Sequence, residues 1–238
     1  MKLFIDIILL AIVALCAWDG YKKGLVGGVA GLAAIALALV CGTVLSSAYS
    51  GEVIPALKPF VQGYIDSQNN RTEFLEAMGY ADTDYSLEDI LASDPSLRND
   101  YAFECMKKVG IYEKRAEELA EECVEYSEEN GVSMTEAVID VMCETGTYIL
   151  GLVIAFLMTV IILVALGNLL NFSLRLPNME AVDEIGGAVL GFIKGFIYCI
   201  LLCWFLCFLG VIIGKSTLDS TLLARFFMSF DFITDGLL

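Results

Sequence analysis

Two short sequences in this chain combine glycine with lysine, as phosphate-binding loops do. One is WDGYKKGLVGGVAG over residues 18–31, and the other is GKS over residues 214–216. A phosphate loop needs G-x-x-x-x-G-K-[ST] between a strand and a helix. In the first sequence the lysines precede the glycine cluster, and in the second Leu209 stands where the leading glycine is required. Neither pattern is complete, so the sequence argues against a nucleotide site.

The chain contains no histidine. This excludes histidine-based acid–base catalysis and Ser-His or Cys-His nucleophiles, and it removes most zinc-site patterns. Three cysteines with a spacing of four resemble a row of ligands, but without histidine or a second cysteine pair they are predicted to be apolar packing: Cys199, Cys203 and Cys207. We expect no catalytic, cofactor or metal site, and a protein that is not an enzyme.

The charge of the chain is segregated from its apolar sequence. The formal net charge is −16, although 58% of the residues are hydrophobic and the mean hydropathy is +0.72. Residues 45–147 contain 22 acids and 7 bases, which account for nearly all of the net charge. This pattern predicts a membrane protein with one acidic insert in water, and the acidity argues against nucleic acid as a partner.

Four apolar runs are long enough, or nearly so, to cross a bilayer: residues 3–18, 25–46, 148–170 and 185–213. We predict an all-α, polytopic membrane protein with about four transmembrane helices. Its predicted domains are a transmembrane hairpin over residues 1–46, an acidic, mostly helical insert over 47–147, a second transmembrane hairpin over 148–214 and an amphipathic C-terminal helix over 215–238. The last helix either lies along the membrane surface or packs against the spans.

Local signals subdivide the insert. Pro55 and Pro59 are predicted to end the second span. Apolar spacing predicts helices over residues 86–92 and 113–129. A capping box at residues 133–136 predicts a helix that runs into the third span. Three further cysteines leave open one disulfide plus one free thiol, in any pairing: Cys105, Cys123 and Cys143.

Lysine and arginine in the short loops predict the orientation of the spans. Lys22 and Lys23 follow the first span, and Arg175 follows the third, so these loops are predicted to be cytoplasmic. The N-terminus, the insert and the C-terminus would then be extracytoplasmic. Lys2 and Lys215 lie in segments that this orientation places outside, and they therefore count against it.

Glycines at a spacing of four form two rows in the apolar runs: Gly20, Gly24 and Gly28 in one, and Gly187, Gly191 and Gly195 in the other. Small residues at this spacing let helix backbones approach each other in lipid. We therefore expect glycine-mediated packing between the second and fourth spans, or alternatively between one row and a second subunit.

Two ionisable residues lie inside apolar runs and are functional candidates for that reason. Asp6 is near the end of the first run and could reach the interface. Lys194 could extend to the interface or pair with Asp19, Asn168 or Asn171. Few acids lie at depth, which favours a structural role over a transport role. A small transporter or channel subunit with Lys194 and Asp6 in its path remains the alternative.

Two parts of the sequence resemble the colicin V production (CvpA-like) family of bacterial inner-membrane proteins. FIDII over residues 4–8 and GYKKGLV over 20–26 resemble the family's opening, and IGGAVLGFIKG over 185–195 resembles its other signature. The matching positions are Asp6, Gly20, Gly24, Gly191, Lys194 and Gly195. The acidic insert departs from the family, because shorter members have little sequence there.

The resemblance implies a four-span protein of the bacterial inner membrane that supports toxin or peptide production and export and maintains the envelope. It supplies no catalytic residues, and related domains anchor extracytoplasmic proteases. The partners it allows are the lipid bilayer and, through the acidic insert, a second copy or other envelope proteins.

Overall fold

The computed structural model describes residues 2–68, 87–169, 180–208 and 221–228. These residues form helices and no strand, so the predicted all-α class is confirmed. The helices are α1 (Lys2–Gln68), α2 (Leu87–Ser93), α3 (Ser96–Val109), α4 (Glu113–Asn130), α5 (Met134–Leu169), α6 (Glu180–Phe208) and α7 (Leu222–Met228).

Helix α1 reverses direction at Gly24. The backbone there has φ 74° and ψ −179°, which is not helical and which only glycine adopts readily. Gly191 of α6 lies beside Ala17, and Gly195, further along α6, lies beside Val13, which is earlier in α1. In contrast, Leu190 lies beside Gly28 and Lys194 lies beside Gly31, which is later in α1. The first segment of α1 (residues 2–23) is therefore antiparallel to α6 and the second segment (residues 25–68) is parallel to it. The two segments form a hairpin with a one-residue turn.

Three described helices are long and apolar enough to cross a membrane: Ile5–Gly63 within α1, Met134–Gly167 within α5 and Glu180–Phe208. An all-α membrane protein is thus confirmed. The predicted count of four is not established, because three described helices meet this criterion; α1 carries the first two apolar runs on either side of Gly24.

The chain divides into two compact units. Unit 1 comprises Met1–Ala48, Ile149–Leu206 and Ile213–Leu238. Its buried core contains Leu9, Cys199, Ile200, Cys203, Ala224 and Phe227. Two of these residues belong to α7, and the ring of Phe227 lies 5.0 Å from that of Phe196 in α6. Of the two alternatives for the C-terminal helix, the structure has it packed against α1 and α6.

Unit 2 comprises Tyr49–Tyr148 and Cys207–Ile212. Helix α4 buries Ala116, Leu119, Ala120 and Cys123, as its apolar spacing predicts, and Gly131 ends it with φ 63°. The N–H of Glu136 donates to Ser133 Oγ at 3.3 Å, which is half of the predicted capping box. No helix was predicted at α3, whose Tyr101 and Met106 are fully buried in the same core.

The prediction that Pro55 and Pro59 end the helix is wrong, since α1 continues to Gln68. A proline inside a helix costs about 3 kcal/mol because it lacks an N–H and crowds the preceding turn. Tertiary contacts offset this cost. Ile65 is buried in the core of unit 2, and Lys58 Nζ lies 2.5 Å from Asp140 Oδ1.

The three cysteines of the insert are buried thiols, so the structure contains no disulfide among Cys105, Cys123 and Cys143. Burial raises the pKa of the Cys123 thiol, and the nearby Glu122 raises it further. A buried thiol with a raised pKa forms little thiolate and reacts slowly with alkylating reagents.

Candidate functional site at the glycine contact of α1 and α6

The backbones of α1 and α6 approach each other at three glycines. A Cβ added to Gly20 would lie 2.8 Å from the Cα of Gly191. A Cβ added to Gly191 would lie 3.0 Å from Ala17 Cα, and one on Gly195 would lie 2.9 Å from Val13 Cα. Side chains at these positions would overlap with backbone atoms, so only glycine permits this separation.

The predicted packing of the second and fourth spans is present at Gly28, but the glycine row of α6 lies mainly against the first segment of α1. Gly187 is in contact with Gly20 and Gly24, and the second segment meets α6 instead through Gly28, which packs against Leu190. The reversal at Gly24 explains this arrangement, because it places both segments beside the same helix.

A buried carboxylate of α6 closes the hairpin turn. Asp183 is only 2% exposed, and its Oδ1 accepts the N–H of Leu25 at 2.9 Å. The first N–H groups of a helix have no partner within it, so Asp183 caps the second segment of α1 from a different helix. A Cβ on Gly24 would lie 2.7 Å from the Asp183 carboxyl carbon. Gly24 thus supplies both the positive φ and the space for the carboxylate.

Asp183 was not among the residues singled out from the sequence. It lies in the first turn of α6, where an acid is readily explained as an interaction with its own helix dipole. The sequence feature that could have identified Asp183 is Gly24. A turn this short is followed directly by a helix N-terminus, whose N–H groups need a hydrogen-bond acceptor.

Lys194 lies in an ion-pair cluster with two residues of α1. Asp19 Oδ2 is 2.9 Å from Lys23 Nζ and 3.7 Å from Lys194 Nζ. The Lys194 side chain is 17% exposed and that of Asp19 is 41% exposed, so Lys194 extends toward the polar end of the hairpin. Of the other partners considered, Asn171 and the side chain of Asn168 lie outside the described residues.

Asp6 has a separate structural contact. Its Oδ1 accepts the N–H of Leu223 at 3.1 Å, which ties the start of α7 to α1. Asp6 and Asp19 are separated by about 20 Å along the first segment, at 1.5 Å per residue. The structure therefore brings Lys194 together with Asp19 and does not bring it together with Asp6.

The lysines predicted to set topology lie at the hairpin turn. Lys22 and Lys23 are both exposed, and beside them the hydroxyl of Tyr21 donates to Glu184 Oε2 at 2.8 Å. Arg175 lies outside the described residues.

The polar contacts at the turn select one register of α6 on the hairpin. A slide of α6 by one helical turn, about 5.4 Å, would bring either Asp183 or Cys199 to a position of the glycine row that a side chain cannot occupy. The same slide would separate Leu25 from Asp183 and Tyr21 from Glu184. A buried carboxylate without a donor is costly in apolar surroundings, so the polar contacts and the glycine contact favour the same register.

The site is chemically a packing site. Its carboxylates accept hydrogen bonds from other helices, and its ammonium groups pair with Asp19. Within the part of the chain that the structure describes, no group of three or more His, Cys, Asp or Glu residues could hold a metal ion.

Apolar helices joined through glycine contacts and interhelical caps define an α-helical membrane protein of the polytopic class. Within that class, residues 120–231, almost half of the chain, match the family model described as "Colicin V production protein", which confirms the resemblance to that family. The match includes the signature over residues 185–195 and begins after the N-terminal one. No curated protein matches the chain, and no solved structure matches it.

Replacing Gly191 with alanine is expected to lower the Tm in detergent, because the new Cβ would force the backbones of α1 and α6 apart. Overpacking of this kind costs about 1–3 kcal/mol. The matched control is Gly167→Ala in α5, where no described heavy atom lies within 4 Å of the added Cβ. Thermal unfolding followed with a thiol-reactive fluorophore measures both. An unchanged Tm for Gly191→Ala, or an equal loss in the control, would contradict the close contact.

Asp183→Leu is expected to lower the Tm in detergent, because it removes the acceptor of the Leu25 N–H at the hairpin turn. Leaving a buried donor without a partner costs about 1–3 kcal/mol.

Asp183→Asn retains an acceptor for Leu25 and is the matched control, so its Tm should stay close to that of the wild type. Thermal unfolding of the wild type and both variants measures the difference. An unchanged Tm for Asp183→Leu, or an equal loss in Asp183→Asn, would argue against a stabilising role of this cap.

Proposed function

We propose that this protein is a non-enzymatic component of the bacterial inner membrane that supports the production or export of a peptide toxin and maintains the envelope. The observation that carries this proposal is the match of residues 120–231 to the colicin V production family. The geometry supports it, because the family-motif residues hold helices together instead of surrounding a reaction centre.

The proposed orientation has the hairpin turn in the cytoplasm and the N-terminus, the insert and the C-terminus outside. Lys22 and Lys23 support this orientation because they lie exposed at that turn. The insert then presents the acidic surface of α4 outside the membrane, where it can contact envelope proteins or a second copy of the chain.

The functional prediction concerns toxin release. In a strain that lacks its own copy of the gene, Gly191→Leu is expected to reduce secreted toxin to near the level of the deletion, because the α1–α6 contact is lost. Gly167→Leu, in an open position, should restore release as the wild type does. Zones of growth inhibition measure release, and detergent sensitivity measures the envelope. Full complementation by Gly191→Leu at normal protein levels would contradict the proposal.

The alternative of a small transporter or channel subunit rests on the Lys194–Asp19 ion pair between helices. It is tested by a separate experiment. Lys194→Ala would have to abolish solute or ion flux into proteoliposomes while the protein still assembles. Wild-type vesicles that are no leakier than empty ones would exclude it.

The orientation is tested by labelling Glu129→Cys with an impermeant maleimide in spheroplasts. Glu129 is exposed on α4, whereas Cys123 on the same helix is buried and serves as the silent reference. We expect labelling at position 129 at least ~10-fold faster than at Cys123. Labelling only after lysis would place the insert in the cytoplasm.

A further inference from the structure

The exposed face of the first segment of α1 changes character at Trp18. Before it, the exposed side chains on this segment are aliphatic, with Leu10 59% and Leu15 67% exposed. From Trp18 onward they are aromatic and cationic: Trp18 is 59% exposed, Tyr21 is 40% exposed and Lys22 is exposed. Such a change along one helix face marks the boundary between hydrocarbon and headgroups.

Trp18, Tyr21 and Lys22 form one continuous surface. They stand three and four residues apart and therefore share a helix face. The rings of Trp18 and Tyr21 are stacked with centroids 6.0 Å apart and an interplanar angle of 21°. Lys22 Nζ lies 5.1 Å from the centroid of the Trp18 ring. The ammonium is thus held above an aromatic platform by a cation–π contact.

This surface lies beside the hairpin turn, and its edge reaches α6 where the Tyr21 hydroxyl donates to Glu184 Oε2. The opposite face of the same segment carries Gly20, which is buried in the glycine contact. Next to the platform, Lys23 pairs with Asp19 and Glu184 accepts the Tyr21 hydroxyl. The Lys22 ammonium lies over the Trp18 ring and supplies the positive charge at the polar end of the platform.

We propose that Trp18, Tyr21 and Lys22 form a docking surface for phospholipid headgroups, in which the two rings lie at the level of the headgroups and the Lys22 ammonium contacts the lipid phosphate. Tryptophan and tyrosine favour this depth because their rings are apolar and their N–H and O–H groups need polar partners. Lysine attracts phosphate at the same depth. The surface fixes how deeply the hairpin turn sits in the bilayer, whatever the function of the protein.

The depth of Trp18 is measured in full-length Trp204→Phe protein, which leaves Trp18 as its one tryptophan. The protein is reconstituted in vesicles of phosphatidylcholine and phosphatidylglycerol that contain nitroxide lipids. A nitroxide on the headgroup should quench Trp18 at least about twofold more than one at carbon 12 of the acyl chain. Equal or stronger quenching by the deep label, or no quenching by either, would overturn the proposal.

The phosphate contact is measured by charge reversal at Lys22. Addition of phosphatidylglycerol to detergent-solubilised wild type should raise its Tm. Lys22→Glu should lose about half of that rise or more, whereas Lys22→Arg should keep it. Lys114→Glu, the same charge change on α4 of unit 2, is the matched control.

Retention of the full rise by Lys22→Glu would overturn the phosphate contact, as would an equal loss in Lys114→Glu. Inorganic phosphate at millimolar concentration should not reproduce the rise. If it did, the site would bind a soluble anion instead of a lipid headgroup.

Discussion

The architecture of unit 1 depends on the distance between two helix backbones. At Gly20 and Gly191 the main chains of α1 and α6 are so close that a methyl group would overlap with them. Dispersion contacts drive helix association in lipid, where burial of apolar surface gives no net gain, so this close approach is the main source of cohesion. The hairpin turn, the cap of Leu25 by Asp183 and the pair of Lys194 with Asp19 all require that separation.

Hydrogen bonds between helices add directional specificity to the glycine contact. Dispersion has little angular preference, whereas the hydrogen bonds from Leu25 to Asp183 and from Leu223 to Asp6 each join one named donor to one acceptor. In both cases a carboxylate on one helix satisfies the exposed N-terminus of another. Asp6 and Asp183 are thus explained by the unpaired N–H groups that every helix start presents.

The sequence allowed prediction of features that repeat or that depend on neighbours in the chain. The two glycine rows, the buried stripe of α4 and the Ser133 cap all follow from local spacing. Features that depend on distant partners were not accessible. The role of Asp183 requires knowledge that Gly24 is a turn, and the passage of α1 through Pro55 requires the contacts of Ile65 and Lys58 in unit 2. Helix α3 was missed because its apolar residues are interspersed with charges.

The cap at Leu25 also has a consequence for the order of assembly. Leu25 and Asp183 are separated by 158 residues, so the ribosome produces the whole insert and α5 before the acceptor exists. Until then the start of the second segment must find hydrogen-bond partners in water or headgroups, which holds the turn at the bilayer surface. Arrival of α6 removes this requirement and buries the carboxylate in the same step. The turn is therefore completed late, although it is among the first parts of the chain to be made.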